Sequence, residues 1–224
     1  MTETAGICHN SKHFAQGSEE WFLARCGKVT ASKMFAIMDI RKDGKPGASR
    51  AKYMHELISE RLTNRPTEHY RTRDMLRGSA LEEGARQVYA DINLADVKQV
   101  GFTDHPIIEN FGASPDGFVE KNGLVEIKAP KPSVMIGYLL SQAIPKNYIY
   151  QMQAQMSCAG SEWCDFFAHC PDLPSHLSIW QVRVKRDPDL IEKIERATIA
   201  FLDEVQKGVD ALAPTSRSRS VSNA

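Results

Sequence analysis

Two carboxylates and a lysine interrupt an otherwise apolar stretch of this chain, in Ser114-Pro115-Asp116-Gly117 and Leu124-Val125-Glu126-Ile127-Lys128. Exposed charges are the default on any protein, but charges set inside β-prone runs ask for a reason. Asp116 and Glu126, brought together, offer the hard oxygen ligands that suit Mg²⁺ or Mn²⁺, which also take waters and substrate phosphates. Lys128, two residues beyond Glu126, falls on the same strand face and can orient or activate a water beside the ion. The plainer alternative is a surface salt-bridge cluster on a two-sided hairpin.

Which alternative holds depends on the turn. Asn122-Gly123 between two β-prone runs signals a hairpin, and two registers are open. A two-residue turn pairs Lys121 with Leu124 and sends Asp116 to the face opposite Glu126. A three-residue turn, Lys121-Asn122-Gly123 with Gly123 left-handed as a bulge, pairs Glu120 with Leu124, Phe118 with Glu126 and Asp116 with Lys128. Asp116, Glu126 and Lys128 then share one face, while Val119, Val125 and Ile127 share the other. A one-residue slip would flip every side chain, so the separation of charge from valine and isoleucine favours the three-residue turn.

The elements around the hairpin must bring further groups to it. Ser18 is a plausible N-cap for a short helix carrying Trp21, and Thr30 for a second helix over residues 30–38. Ser32 then sits in a first helical turn, where free N–H groups favour an anion, and Arg25 could reach the same anion with its guanidinium. Residues 50–63 read as a helix with Tyr53, Leu57 and Ile58 or Leu62 inward. Residues 74–90 read as another, with Leu81, Ala85 and Val88 inward at i, i+4 and i+7. Glu82 lies beside that stripe and can lean towards the cleft as a third carboxylate. Strand-like pieces follow at 98–102 and 107–108, then a helix over 133–141. A helix over 147–156 places Gln151 and Gln155 one turn apart, an amide face that could hold a phosphate or a metal-bound water. Strands over 163–169 and 177–185 precede Asp187-Pro188, an N-cap and N1 proline that open a long amphipathic helix.

With 224 residues the chain is long enough for one α/β or α+β domain, read as residues 1–213, followed by a low-complexity Ser/Arg tail over 214–224. Its 28 basic and 28 acidic residues cancel, so no global field announces a partner. Residues 41–77 nevertheless hold ten Lys/Arg against five Asp/Glu, a local basic surface suited to a phosphodiester. No apolar leader and no run approaching ~20 apolar residues is visible, so a soluble, intracellular protein is expected. Five cysteines point to reduced thiols rather than a disulfide framework, and the spacing of Cys158, Cys164 and Cys170 does not fit a zinc site. The absence of Gly-x-Ser-x-Gly, Walker and Gly-x-Gly-x-x-Gly motifs removes serine hydrolases, nucleotide triphosphatases and dinucleotide enzymes.

Five motifs occur in an order that resembles the YqaJ viral recombinase family of lambda-exonuclease type, within the PD-(D/E)xK nucleases. They are Trp21…Leu23-Ala24-Arg25-Cys26-Gly27-Lys28-Val29-Thr30-Ala31-Ser32, Arg77-Gly78…Glu82, Ser114-Pro115-Asp116-Gly117, Glu126-Ile127-Lys128 and Tyr148…Gln151-Met152-Gln153. The resemblance implies an α/β (α+β) restriction-endonuclease-like core with a mixed central β-sheet flanked by helices. It implies two Mg²⁺ ions, with Mn²⁺ substituting, bound by Asp116, Glu126, the backbone carbonyl of Ile127 and Glu82. By the same resemblance Lys128 positions the attacking water, Gln151 supports it, and Arg25 with Ser32 grip a 5′-phosphate. The implied activity is 5′→3′ digestion of one strand of linear duplex DNA, leaving 3′ overhangs for recombination. A ring-shaped homotrimer, a single-strand annealing protein as partner, no membrane, and the cytoplasm of a bacterial host complete the expectation. A structure-specific or restriction-type endonuclease on the same core is the alternative enzyme, and a non-catalytic DNA-binding module the alternative outside enzymes.

Overall fold

Alternation of Trp180, Val182 and Val184 with Gln181, Arg183 and Lys185 makes a strand with one packed and one wetter face, and Ile179–Lys185 is that strand. The computed structural model describes residues 11–12, 14–41, 43–67 and 73–213. In chain order these form β1 (Ser11–Lys12), α1 (Glu19–Arg25), β2 (Val29–Thr30), α2 (Met34–Ile37), α3 (Ala48–Thr63), α4 (Arg73–Asn93), β3 (Val97–Lys98), β4 (Phe102–Asp104) and β5 (Phe111–Ala113). There follow β6 (Gly117–Val119), β7 (Gly123–Lys128), α5 (Pro132–Ser141), α6 (Lys146–Ala159), β8 (Trp163–His169), β9 (Ile179–Lys185) and α7 (Pro188–Leu212). The proposed tail over 214–224 lies outside the described residues.

The larger sheet has the order β3-β6-β7-β8-β9 and is mixed: β7 and β8 run parallel, every other pair antiparallel. A parallel pair needs a crossover, and α5 and α6 provide it. The second sheet has the order β1-β4-β5-β2, with β2 and β5 parallel. The mixed α/β class expected from the sequence is therefore the one observed.

The two faces of β7 define two cores. Val119, Val125 and Ile127 pack with Ala85 and Tyr89 of α4 and with Phe167. Leu124 faces the other way, against Met135, Met152, Met156 and Phe166. A third core gathers α2, α3 and α7 around Tyr53, Leu57 and Phe201. The Asp187 side chain caps α7 by accepting from Leu190 N, with Pro188 in the first turn, and Ile191, Ile194, Thr198, Phe201 and Val205 form its buried stripe. Buried Arg50 of α3 ties to Glu204 of α7 through two hydrogen bonds of 2.7 and 2.9 Å. Among the described residues no helix is long and apolar enough to cross a membrane.

Several expectations need correction. The strand piece expected over 98–102 is divided, since β3 ends at Lys98 and β4 begins at Phe102. Residues 11–12, for which no element was expected, pair with β4 as a strand. Residues 107–108 form a turn, not a strand; the ring of buried His105 accepts from Ile107 N and Ile108 N and so folds the chain back there. The helix expected over 30–38 splits into a 3₁₀ turn, Ala31–Lys33, and the four-residue α2, and the Thr30 side chain makes no capping bond. Tyr53 Oη accepts from Thr30 N at 3.1 Å, so a tertiary contact holds the site where the cap was expected. Cys158, Cys164 and Cys170 are buried free thiols and Cys26 is a half-buried one, in line with reduced cysteines.

Candidate active site

The hairpin register differs from the expected one by two residues. Phe118 pairs with Leu124 and Val119 with Gly123, so the loop is Glu120-Lys121-Asn122. The left-handed residue is Glu120 at φ 54°, not Gly123. Gly123 is needed for a different reason. A Cβ there would lie 2.1 Å from the Trp163 ring of β8, so only glycine lets the two strands close. A shift of two residues preserves which side chains share a face. Asp116, Glu126 and Lys128 remain together, and the observed register carries Asp116 opposite Glu126 instead of Lys128.

Glu126 is 1% exposed in the middle of the larger sheet, next to Phe166 of β8. Such burial requires donors for both oxygens. Lys128 Nζ and Gln151 Nε2 both donate to Oε1, the latter at 2.7 Å. Gln155 Nε2 donates to Oε2, also at 2.7 Å. Packing of Met152 and Met156 against Leu124 and Phe166 presents the amide face of α6 to the carboxylate. Lys128 also lies 5.2 Å from the Tyr148 ring centroid, within cation–π range.

Asp116 is fixed by backbone. Ile127 N donates to its Oδ2 at 2.7 Å, and Arg86 Nε donates to its carbonyl at 2.9 Å. Burial, then the Glu126 charge, push the Asp116 carboxyl well above its usual range, against the pull of Lys128. Burial would lower the Lys128 ammonium, but Glu126 and Asp116 outweigh it and hold Lys128 above its usual value. Lys128 therefore stays an ammonium, a hydrogen-bond donor, at neutral pH. Glu82 of α4 is half-buried and bonded to Arg86 Nη2 at 3.1 Å; burial raises its carboxyl, with Glu126 adding to the rise and Arg86 and Lys128 opposing it.

This donor set suits a hard divalent cation. Two carboxylates oppose each other with one lysine as close counter-charge, and burial together with the Glu126 charge makes Asp116 costlier to ionise. Among the described residues no three acidic, His or Cys side chains form a complete cage. Mg²⁺ commonly takes one or two carboxylates and fills the rest of its shell with water and substrate phosphate. Within a strand the N–H and C=O of one residue point to the same edge. The Ile127 carbonyl thus turns to the side where its N–H meets Asp116.

A second basic feature lies nearby. Trp21 Nε1 donates to Ser114 Oγ at 3.0 Å, two residues before Asp116. On the same tryptophan, Arg25 Cζ lies 3.9 Å from the ring centroid. Arg25 opens onto a cavity of about 260 Å³ that Trp21, Lys28, Thr30, Lys33 and Tyr53 also line. Burial pushes the Arg25 guanidinium down to about 10, which leaves it cationic at neutral pH. Among the described residues it has no carboxylate within ion-pair distance. The nearby Glu60 is spent on backbone, accepting from Gly27 N at 2.7 Å and Thr67 N at 2.8 Å. Ser32 is exposed beside Thr30, its Oγ 3.3 Å from Thr30 Oγ1. The structure does not bring Ser32 into contact with Arg25, and the short α2 removes the helix-dipole argument for it.

Arg86 and Gln155 are site residues that the sequence did not single out in these roles. Arg86 sits one turn beyond Glu82, which is the only local signal available for it. The one-turn spacing of Gln151 and Gln155 was visible, but their shared acceptor, Glu126, was not. The local basic excess over 41–77 is partly absorbed by structure. Arg50 pairs with Glu204, Arg77 with Asp172, and Arg41 with Asp43.

The site can be set beside known proteins. Residues 20–162 match the model of a YqaJ-like viral recombinase domain. The structure of an alkaline exonuclease, LHK-Exo, from Laribacter hongkongensis is similar at 42% identity and TM-score 0.81, over 87% of this chain and 96% of that one. The same enzyme in complex with dAMP gives the same values. A phage-related exonuclease from Haemophilus somnus 129PT, at 16% identity and TM-score 0.64 over 83% of this chain and 96% of that one, shares the fold. No curated protein sequence matches the chain.

Proposed function

The chain belongs to the YqaJ-like viral recombinase family and is a DNA exonuclease, and on that premise we propose that it digests one strand of linear duplex DNA in the 5′→3′ direction. The products are mononucleotides and 3′ single-stranded overhangs for recombination by strand annealing. The observation that carries this reading is the Trp21 bridge. One face of the ring holds Arg25, an unpaired guanidinium among the described residues, and its N–H holds Ser114 at the head of the Asp116 motif. A terminal phosphate held by Arg25 would sit at a set distance from the carboxylates, which is what an enzyme that counts from an end requires.

The family's nucleases use divalent metals, and we take the ions here to be two Mg²⁺, replaceable by Mn²⁺, held by Asp116, Glu126, the Ile127 carbonyl and Glu82. When bound, such ions would ease deprotonation of a water near neutral pH and offset charge that builds on the phosphate. Lys128 donates to the attacking water and keeps its lone pair aimed at phosphorus, while Gln151 holds Glu126 in place for it. The O3′–P bond breaks and the released nucleotide leaves with its 3′-hydroxyl. The shortened strand carries a new 5′-phosphate, which Arg25 and Ser32 can hold for the next cycle.

Residues 1–213 act in this reading as one nuclease unit with the 214–224 tail apart from it. The unit works as a ring-shaped homotrimer in the bacterial cytoplasm beside a single-strand annealing protein. The function is tested with linear duplex in Mg²⁺, ending in 5′-phosphate or 5′-hydroxyl, and with closed circular duplex. Rapid digestion confined to the 5′-phosphorylated ends is expected. Equal rates at both ends, or cutting of closed circles, would favour an endonuclease instead.

A further inference from the structure

We infer that Gln155 is a positioning residue that presents Glu126 to the divalent cation, and that Oε2 of Glu126 is the oxygen it presents. The inference rests on the proposed role of Glu126 as a metal ligand. Oε1 of Glu126 already accepts from both Lys128 and Gln151, which uses its two lone pairs. Oε2 accepts from Gln155 alone among the described residues. One lone pair therefore remains for a cation, on the oxygen whose direction Gln155 fixes.

The cost that Gln155 carries supports a role beyond packing. Its side chain is 1% exposed, and its Oε1 has no hydrogen-bond partner among the described residues. An unmet buried carbonyl is destabilising, and natural cores rarely tolerate one without reason. Gln153, on the same helix and 2% exposed, shows the ordinary solution: it donates to Lys185 O and accepts from Asp187 N, both at 2.9 Å. Turning the Gln155 amide over would set its oxygen against Glu126 Oε2, acceptor to acceptor. The carboxylate thus dictates the amide's orientation and leaves the other end unmet. A methionine of similar length would fill the volume without that cost but would offer no donor.

Gln155→Met and Gln155→Leu in the full chain test this, with Glu126→Gln as the control for the ligand itself. Mn²⁺ binding to the metal-free protein is read from the electron paramagnetic resonance of free Mn²⁺. The Mg²⁺ dependence of duplex digestion and thermal melting are measured alongside. Partners that orient a metal ligand typically contribute about tenfold or more in affinity. Gln155→Met is expected to bind Mn²⁺ about tenfold more weakly and to need correspondingly more Mg²⁺ for half-maximal rate. Its KM for DNA should stay unchanged, and it should melt no lower than the wild type. Wild-type Mn²⁺ affinity in both Gln155 variants would overturn the inference alone, as would a loss of affinity matched by a fall in melting temperature in both. If Glu126→Gln bound Mn²⁺ as the wild type does, Glu126 would not be a ligand, and both the metal reading and this inference would fall.

Discussion

Ile127 N donates to Asp116 Oδ2 at 2.7 Å, so the side chain of one motif occupies the place where the next residue of β6 would have paired with β7. The bond fixes the carboxylate without a counter-charge. Burial and the Glu126 charge still push the Asp116 carboxyl well above its usual range.

The raised carboxyl makes stability depend on pH. Between the ordinary aspartate value and its raised folded value, the native state keeps a proton that the unfolded chain has lost. Stability from this group therefore falls as pH rises through that window. Asp116→Asn removes the penalty while keeping an acceptor for Ile127 N. The variant is expected to melt above the wild type at neutral pH in metal-free buffer, with the difference vanishing at acid pH. Its nucleolysis should drop at least ~10²-fold, the scale of losing one preorganised electrostatic group. Calorimetry across pH checks the sign; a variant that melts lower at neutral pH would refute the burial argument.

Arg25 should govern which end is recognised. Arg25→Ala is expected to erase the preference for 5′-phosphate over 5′-hydroxyl ends, with little change in the rate on the hydroxyl substrate. Arg25→Lys should restore only part of the preference, because an ammonium neither stacks on Trp21 as a plane nor grips a phosphate with a fork. Rates on the two substrates, measured for all three proteins, test this.

Gly123→Ala should weaken the fold through Trp163 and not through the turn. Relieving a 2.1 Å approach to a packed ring requires β7 and β8 to separate, an overpacking cost of about 1–3 kcal/mol. Denaturant unfolding measures it. A smaller side chain at Trp163, as in Trp163→Leu, should recover part of the loss in the double variant if the contact is the cause.

Much of this was legible in the chain, for reasons that differ by element. Ser18 and Asp187 cap their helices as local chemistry directs, and β8 begins and ends where its apolar run does. The hairpin shows where local rules stop. Alternation placed Asp116, Glu126 and Lys128 on one face, but turn preference assigned the left-handed position to Gly123. Trp163, far along the chain, had the prior claim on that glycine, and Glu120 took the strained position instead. Asp165 was hidden in an apolar strand; its buried carboxylate is met by Tyr89, Gln181 and Arg183 from two other elements. Arg86 and Gln155 were hidden likewise, since a polar helix residue reveals its partner only when the helix is docked.

In the proposed function, hydrolysis proceeds from a 5′-phosphorylated end at the Asp116–Glu126–Lys128 centre. Linear duplex carrying one label at each 5′-phosphate and a second at each 3′ end, digested in Mg²⁺ by wild type, Asp116→Ala and Lys128→Ala, tests it most directly. Early release of the 5′ label as mononucleotide by the wild type, late release of the 3′ label, and near-complete loss of both in the variants are expected. Early release of the 3′ label, or equal digestion by all three proteins, would contradict it.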